Sequence, residues 1–148
     1  MEIRRGPRAA KTYILDTDIL TLFQDGDPTV CQHVLQVPTQ DIGTTVITVE
    51  QQLTGWYSQL RKAKRRDKLV WAYRRLAVNV RFLSRLQIHE FTDQAMNRYD
   101  QLRKLKLKIG RADLCIAATV LEIGVTLVTR NLHDFQQVPG LTIEDWSK

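Results

Sequence analysis

With 148 residues, 43% hydrophobic and 26% charged, the chain has the composition of one ordinary globular domain; no apolar run approaches the ~18 residues of a membrane span, so neither a membrane partner nor a membrane location is expected. The formal net charge of +6 is concentrated in two segments, 61–85 and 103–111, which read either as solvated helix faces or as a surface for a polyanion. The opening MEIRRGPRAAK is too poor in apolar residues for a signal peptide, and is expected to be a flexible basic leader over residues 1–11, before a single cytoplasmic domain over residues 12–148.

In chain order, the runs Tyr13–Leu15, Ile42–Thr48, Gln87–His89, Thr126–Thr129 and Leu141–Ile143 read as strands. Helical patterns fill the gaps. Asp18–Gln24 comes first, then Thr29–Gln36, for which Pro28 is a suitable entry residue. Val49–Lys64, Lys68–Leu86 and Thr92–Lys106 repeat apolar residues at three and four, as amphipathic helices do. Asp113–Ile123 ends at Gly124, a C-cap residue. Strands alternating with helices predict an α/β fold around a mainly parallel sheet of four to five short strands.

Two cysteines, Cys31 and Cys115, form neither a CxxC nor a Cys/His cluster, which gives little support to a disulfide framework or a zinc site and favours buried reduced thiols. His33, His89 and His133 are scattered and read as surface or interface side chains, although His133 stands beside Asp134.

Four acids occupy one kind of place. Asp16 follows the first strand, Glu50 opens the helix after GTTVITV, Asp113 begins DLCIAATVLEIG, and Asp134 follows TLVTRN. In open parallel sheets the ligand crevice lies beyond the carboxyl ends of the strands, where these acids fall. An acid in a first helical turn is ordinarily a cap or a complement to the helix dipole. Asp16 fits that role poorly, because Thr17 or Asp18 is available to cap; Asp113 fits it poorly because it adjoins the apolar Leu114, Ile116, Ala117 and Ala118. Four converging carboxylates repel one another and call for a countercharge. Oxygen ligands without His or Cys select Mg2+ or Mn2+ over zinc. A metal so held activates water and stabilises charge on a phosphate, and an acidic crevice in a basic protein suits a polyanionic substrate.

LDTDIL, VITVEQQLTG, IGRADLCIAATVLEIGVTLVTRNLHDF and VPGLTIEDW follow in this order from about residue 13 to the end. On these motifs the chain resembles PIN-domain ribonucleases, in particular the VapC toxins of type II toxin–antitoxin pairs. The resemblance implies a PIN-like fold and a Mg2+- or Mn2+-dependent endoribonuclease acting on transfer or ribosomal RNA. Its acidic quartet falls on Asp16, Glu50, Asp113 and Asp134, with Asp16 and Asp113 the principal metal ligands and the other two acting directly or through water. Thr17, Thr129 and Asn131 match positions that support the acids or the substrate phosphate. Two departures stand out: Asp18 replaces a common Asn and adds an acid, and Arg111 replaces a small residue or proline, adding either a phosphate contact or a helix cap. Arg130 is a second candidate RNA contact. The resemblance also implies a cognate, DNA-binding antitoxin that sends an Arg or Lys toward the acids. The apolar faces of 49–64 and 92–106 are expected to serve a two-fold homodimer.

Two other readings compete. A non-catalytic RNA- or partner-binding module would use the acids only as caps, which retention of all four disfavours. An aspartyl-phosphate phosphotransferase would use Asp16 as nucleophile and Asp18 as acid/base, but the downstream Lys and GDxxxD motif of that chemistry do not occur in the right context.

Overall fold

Tyr13, Ile14 and Leu15 form the central strand because both faces of this run are apolar enough to be covered: Ile14 and Leu15 are fully buried on opposite sides of the sheet. The structure, a computed structural model, describes residues 11–148, so the basic leader, Lys11 apart, lies outside the described residues.

The elements run β1 (Tyr13–Leu15), α1 (Thr17–Gln24), α2 (Pro28–Leu35), a short 3-10 turn (Thr39–Asp41), β2 (Ile42–Thr45), α3 (Val46–Lys62), α4 (Arg66–Leu83), β3 (Gln87–His89), α5 (Asp93–Arg103), α6 (Arg111–Ile123), β4 (Thr126–Val128), α7 (Leu132–Phe135) and β5 (Thr142–Glu144). The five strands form one sheet in the order β3-β2-β1-β4-β5, every pair parallel. The α/β expectation is thus borne out. Chain order departs in both directions from β1, toward β2 on one side and β4 on the other, so a topological switch point lies at its carboxyl end.

Register builds the two halves of the core. Ile14 pairs with Leu127 and both face Ile116, Ala117, Val120 and Phe135; Leu15 pairs with Val128 and both face Ile19, Leu20, Val30 and Trp146. Each fully buried Ile, Leu or Val side chain contributes about 1.5–3 kcal/mol relative to an exposed one. α5 packs on α6, with Ala95 and Leu102 buried, so part of the apolar face of 92–106 is covered within the chain, while Met96 and Leu105 remain exposed. Among the described residues no helix is long and apolar enough to cross a membrane.

Capping decides where several helices begin, and corrects the sequence reading. The expected strand Ile42–Thr48 stops at Thr45, whose hydroxyl accepts the Thr48 N–H at 3.2 Å and starts α3 inside the β-branched run. Glu50 therefore lies in the second turn of α3, not at its start. Asp16, expected to sit behind the cap, is itself the N-cap of α1. Pro28 opens α2, with Asp27 capping through the Val30 N–H at 3.0 Å. The four-residue α7 carries too little periodicity to be read from sequence. Gly124 closes α6 at φ 68°, the left-handed conformation in which glycine is favoured. Gly43 answers a different need: a Cβ there would stand 2.8 Å from the Gln87 carbonyl oxygen of β3 and 3.2 Å from the His89 ring.

Candidate active site

Asp16 is the centre of the site, and its backbone puts it there. Its N–H continues the β1–β4 ladder to the Val128 carbonyl at 2.9 Å, and its extended conformation turns the side chain over the start of α1. Oδ1 accepts the Thr17 N–H at 2.7 Å and Oδ2 accepts the Thr129 hydroxyl at 2.9 Å. The carboxyl group is buried, and that burial raises its pKa from 3.8 to about 6; Asp113 and Asp18 add to the rise, while the two hydrogen bonds oppose it.

Thr129 lies just beyond β4, fixed by its N–H to the Glu144 carbonyl at 2.8 Å. Its hydroxyl donates to Asp16 and accepts the Asn131 N–H at 3.0 Å, so one side chain links the two loops. Asn131 caps α7 and donates from Nδ2 to Asp134 Oδ2 at 2.9 Å. Asp113 stands in the first turn of α6, half-buried, and its pKa is raised by burial first, then by Asp134 and Asp18.

These elements enclose a cleft of about 430 Å³ lined by Asp16, Thr17, Asp18, Glu50, Asp113 and Asn131, with Gln51 and Thr54 completing it. Asp134 does not line the cleft; it lies near enough to Asp113 to act on it electrostatically. Glu50 and Asp18 are exposed at the rim. Arg111 is the first residue of α6 and Arg130 lies between β4 and α7; both are exposed, with no ion-pair partner among the described residues. Gly110, not Arg111, is the N-cap of α6.

Sequence reasoning missed the support given by α3. Gln51 accepts a short hydrogen bond from the Thr17 hydroxyl, and Thr48 Oγ1 lies 3.2 Å from the same oxygen. The spacing of Thr48 and Gln51, one helical turn apart around Glu50, is the signal that could have found them. His33 stacks on Trp146, His133 is exposed, and neither these nor His89 lines the cleft. Cys31 and Cys115 are free and half-buried.

Chemically, the cleft offers an all-oxygen donor set with no His, Cys or Lys in its lining. None of its acids is paired with Lys or Arg among the described residues, so their mutual repulsion goes unrelieved by the protein. No three acidic, His or Cys side chains among the described residues stand together as a ready-made ion site. This donor set fits a hard divalent cation. It fits an aspartyl-phosphate enzyme less well, because the lining holds no Lys.

No family model matches the chain. Compared with known proteins, it is 30% identical over 142 residues to ribonuclease VapC2 of Rickettsia felis, covering 92% of this chain and 98% of the relative. The chain belongs to the VapC ribonuclease family. A second VapC relative, the tRNA(fMet)-specific endonuclease VapC of Salmonella typhimurium, is 39% identical over 84 residues, 54% of this chain and 64% of the relative. Among solved structures, the DNA-bound VapBC of Salmonella typhimurium superposes with a TM-score of 0.75 at 26% identity, covering 92% of this chain and 98% of the other. VapBC2 of Rickettsia felis bound to a promoter DNA fragment superposes with a TM-score of 0.71 at 26% identity, covering 91% and 98%. The resemblance to VapC toxins is thus borne out, and with it the reading of the chain as a ribonuclease. Within this VapC chain, Asp18 acts as an added negative charge on both Asp16 and Asp113.

Proposed function

We propose that residues 12–148 form a single cytoplasmic nuclease domain that hydrolyses RNA phosphodiester bonds with Mg2+ or Mn2+, the toxin of a pair whose antitoxin quenches it. The observation that carries this reading is the buried Asp16 at the switch point of a parallel sheet, its pKa pushed to about 6 beside Asp113, Asp18 and Glu50, with no cationic side chain to balance them. A bound divalent ion supplies the balancing charge, lowers the pKa of a water and offsets charge developing on the phosphate.

The chain's own residues set up that chemistry. Asp16 and Asp113 are the proposed principal ligands. Thr17 N–H and the Thr129 hydroxyl fix the rotation of the Asp16 carboxylate, so it need not reorganise when charge arrives. Glu50 lines the cleft from α3, while Asp134, oriented by Asn131, is the proposed fourth acid, acting on Asp113 through its charge. Arg111, two residues before Asp113 at the start of α6, and Arg130, next to Asn131 in the chain, are exposed cations proposed as contacts for substrate phosphates. Transfer or ribosomal RNA is the proposed substrate class, supported by a relative named as a tRNA(fMet)-specific endonuclease. An antitoxin partner is supported by the VapBC neighbours, and a two-fold homodimer belongs to the same reading.

The test is cleavage of purified transfer and ribosomal RNA with and without Mg2+ or Mn2+. Asp16→Asn and Asp113→Asn should each lower the rate by orders of magnitude while leaving the circular dichroism spectrum unchanged. Metal-independent cleavage, or near wild-type rates from both variants, would overturn the assignment.

A further inference from the structure

Beside the acid cleft, α1, α3 and α4 leave a second groove of about 550 Å³ that shares Thr17 and Gln51 with it. Its outer wall is aromatic. Trp56 of α3 and Trp71 of α4 meet edge to face, ring centroids 5.7 Å apart with planes at 63°. The Arg75 guanidinium lies 5.7 Å from the Trp56 ring and 3.8 Å from the Asp25 carboxylate, and the Lys68 ammonium lies 6.0 Å from the Trp71 ring. Trp71 is 47% exposed, although an indole is among the side chains that gain most from cover.

The floor of the groove is polar and fixed. Gln52 accepts from Asn79 Nδ2 at 2.8 Å and donates to Thr21 at 3.3 Å, tying α1, α3 and α4 at a set spacing. Gly55 lies beside Trp56 inside α3, where glycine is one of the poorest helix formers; nothing stands within 4 Å of where its Cβ would be, so it keeps the wall open without any packing need. The flanking segment 61–85 carries ten Lys and Arg against one Asp.

A flat π surface, a cation beside it, hydrogen-bonding amides below it and a basic rim together match an unpaired nucleotide of RNA, whose base has a stacking face and polar edges and whose backbone is anionic. We propose that this groove is a base-stacking subsite: it takes one unpaired nucleobase adjacent to the scissile bond flat against Trp71, with Trp56 beside it and Arg75 as the cationic neighbour. The subsite rests on the ribonuclease reading of the adjoining cleft, and it makes cleavage favour bonds flanked by a splayed-out base.

The experiment measures binding of a fluorescent single-stranded RNA, and of an abasic analogue with the same ribose-phosphate backbone, in chelator so that no cleavage intervenes. Wild type should prefer the base-containing strand by about five- to a hundred-fold, the range for one stacked base. Trp71→Ala should erase that preference without changing the salt dependence, while Trp71→Phe should keep most of it. Gly55→Leu, which fills the groove from the α3 side, should erase it as well, and so serves if the Trp71 variant folds poorly. An unchanged preference in a folded Trp71→Ala or Gly55→Leu overturns the proposal. So does a Trp71→Ala protein that binds RNA normally but loses its cognate antitoxin, since the aromatic wall would then belong to the protein partner. Wild-type cleavage by Asp16→Asn would instead overturn the catalytic reading and leave the binding preference intact, so the two failures are distinguishable.

Discussion

Removing the Asp16 charge should stabilise the metal-free protein, and the pH dependence of that gain is what identifies its cause. The group titrates near 3.8 when unfolded and at about 6 when folded. Because the folded value is the higher one, the native state holds a proton that the unfolded chain has already released between these two values, and stability falls as pH rises through that window. The gap, at about 1.4 kcal/mol per pH unit, means that the ionised Asp16 costs the fold about 3 kcal/mol at pH 8. At pH 5 the native group is mostly protonated, and the same linkage leaves roughly half of that cost; at pH 4 little of it remains.

Asp16→Asn keeps the shape and an acceptor oxygen but has no charge to desolvate. In chelator it should therefore melt above wild type by about 10 °C at pH 8 and by roughly half that at pH 5, using about 3–4 °C per kcal/mol for a domain of this size. Differential scanning calorimetry or fluorescence-detected melting at the two pH values measures both gaps. Millimolar Mn2+ should close the gap at pH 8 by stabilising wild type, about 2.7 kcal/mol at a hundredfold excess over Kd, while the variant gains less. A variant that melts below wild type at pH 8, or a gap equal at pH 5 and pH 8, would refute the burial argument.

Three further changes probe the surrounding structure. Thr129→Val deletes the hydroxyl that donates to Asp16, so in chelator the pH window through which stability falls should move up; a window that stays in place would show that this bond does not tune Asp16. Gly43→Ala pushes a methyl group into the Gln87 carbonyl and should cost about 1–3 kcal/mol, read as a lower urea midpoint with an unchanged slope; a wild-type midpoint would mean that β2 and β3 can part without penalty. Thr45→Ala removes the α3 cap and should cost about 1 kcal/mol by the same measurement, whereas no loss would mean that something other than the cap starts the helix.

The parts of this fold that the sequence announces are those whose signal is local. Tyr13–Leu15 and Thr126–Val128 are apolar runs that stop at polar residues, and the structure makes them the paired strands at the centre of the sheet. Asp113, flanked by apolar residues, marks the start of α6 in the same way. Local signals also conflict. In TTVITVE, β-branching argues for strand through Thr48, while Thr45 as a cap argues for helix from Val46; the cap wins because α3 continues for 17 residues. Other features leave no local trace at all. The Thr129–Asp16 bond joins residues 113 positions apart, and the Trp56–Trp71 wall arises from two helices whose exposed faces look like ordinary amphipathic surfaces. Both follow from sheet order and helix packing, which no window of sequence contains.

Asp16 shows how a local reading misjudges a residue's role: the sequence places it behind the cap, and the structure makes it the N-cap of α1. Capping and metal binding were weighed as alternatives, since an acid that satisfies a helix N-terminus has an ordinary reason to be there. The geometry makes them compatible. Each carboxylate oxygen carries two lone pairs, and here each has one protein donor: the Thr17 N–H on Oδ1 and the Thr129 hydroxyl on Oδ2. The cap orients the group and the threonine locks its rotation, yet an acceptor position remains on each oxygen. Burial then keeps the group from being satisfied by those two bonds alone, which is why its pKa stands at about 6 despite both of them. A capping acid at a helix end in water would sit below its ordinary value; one that caps and is still raised has charge that the protein leaves unbalanced.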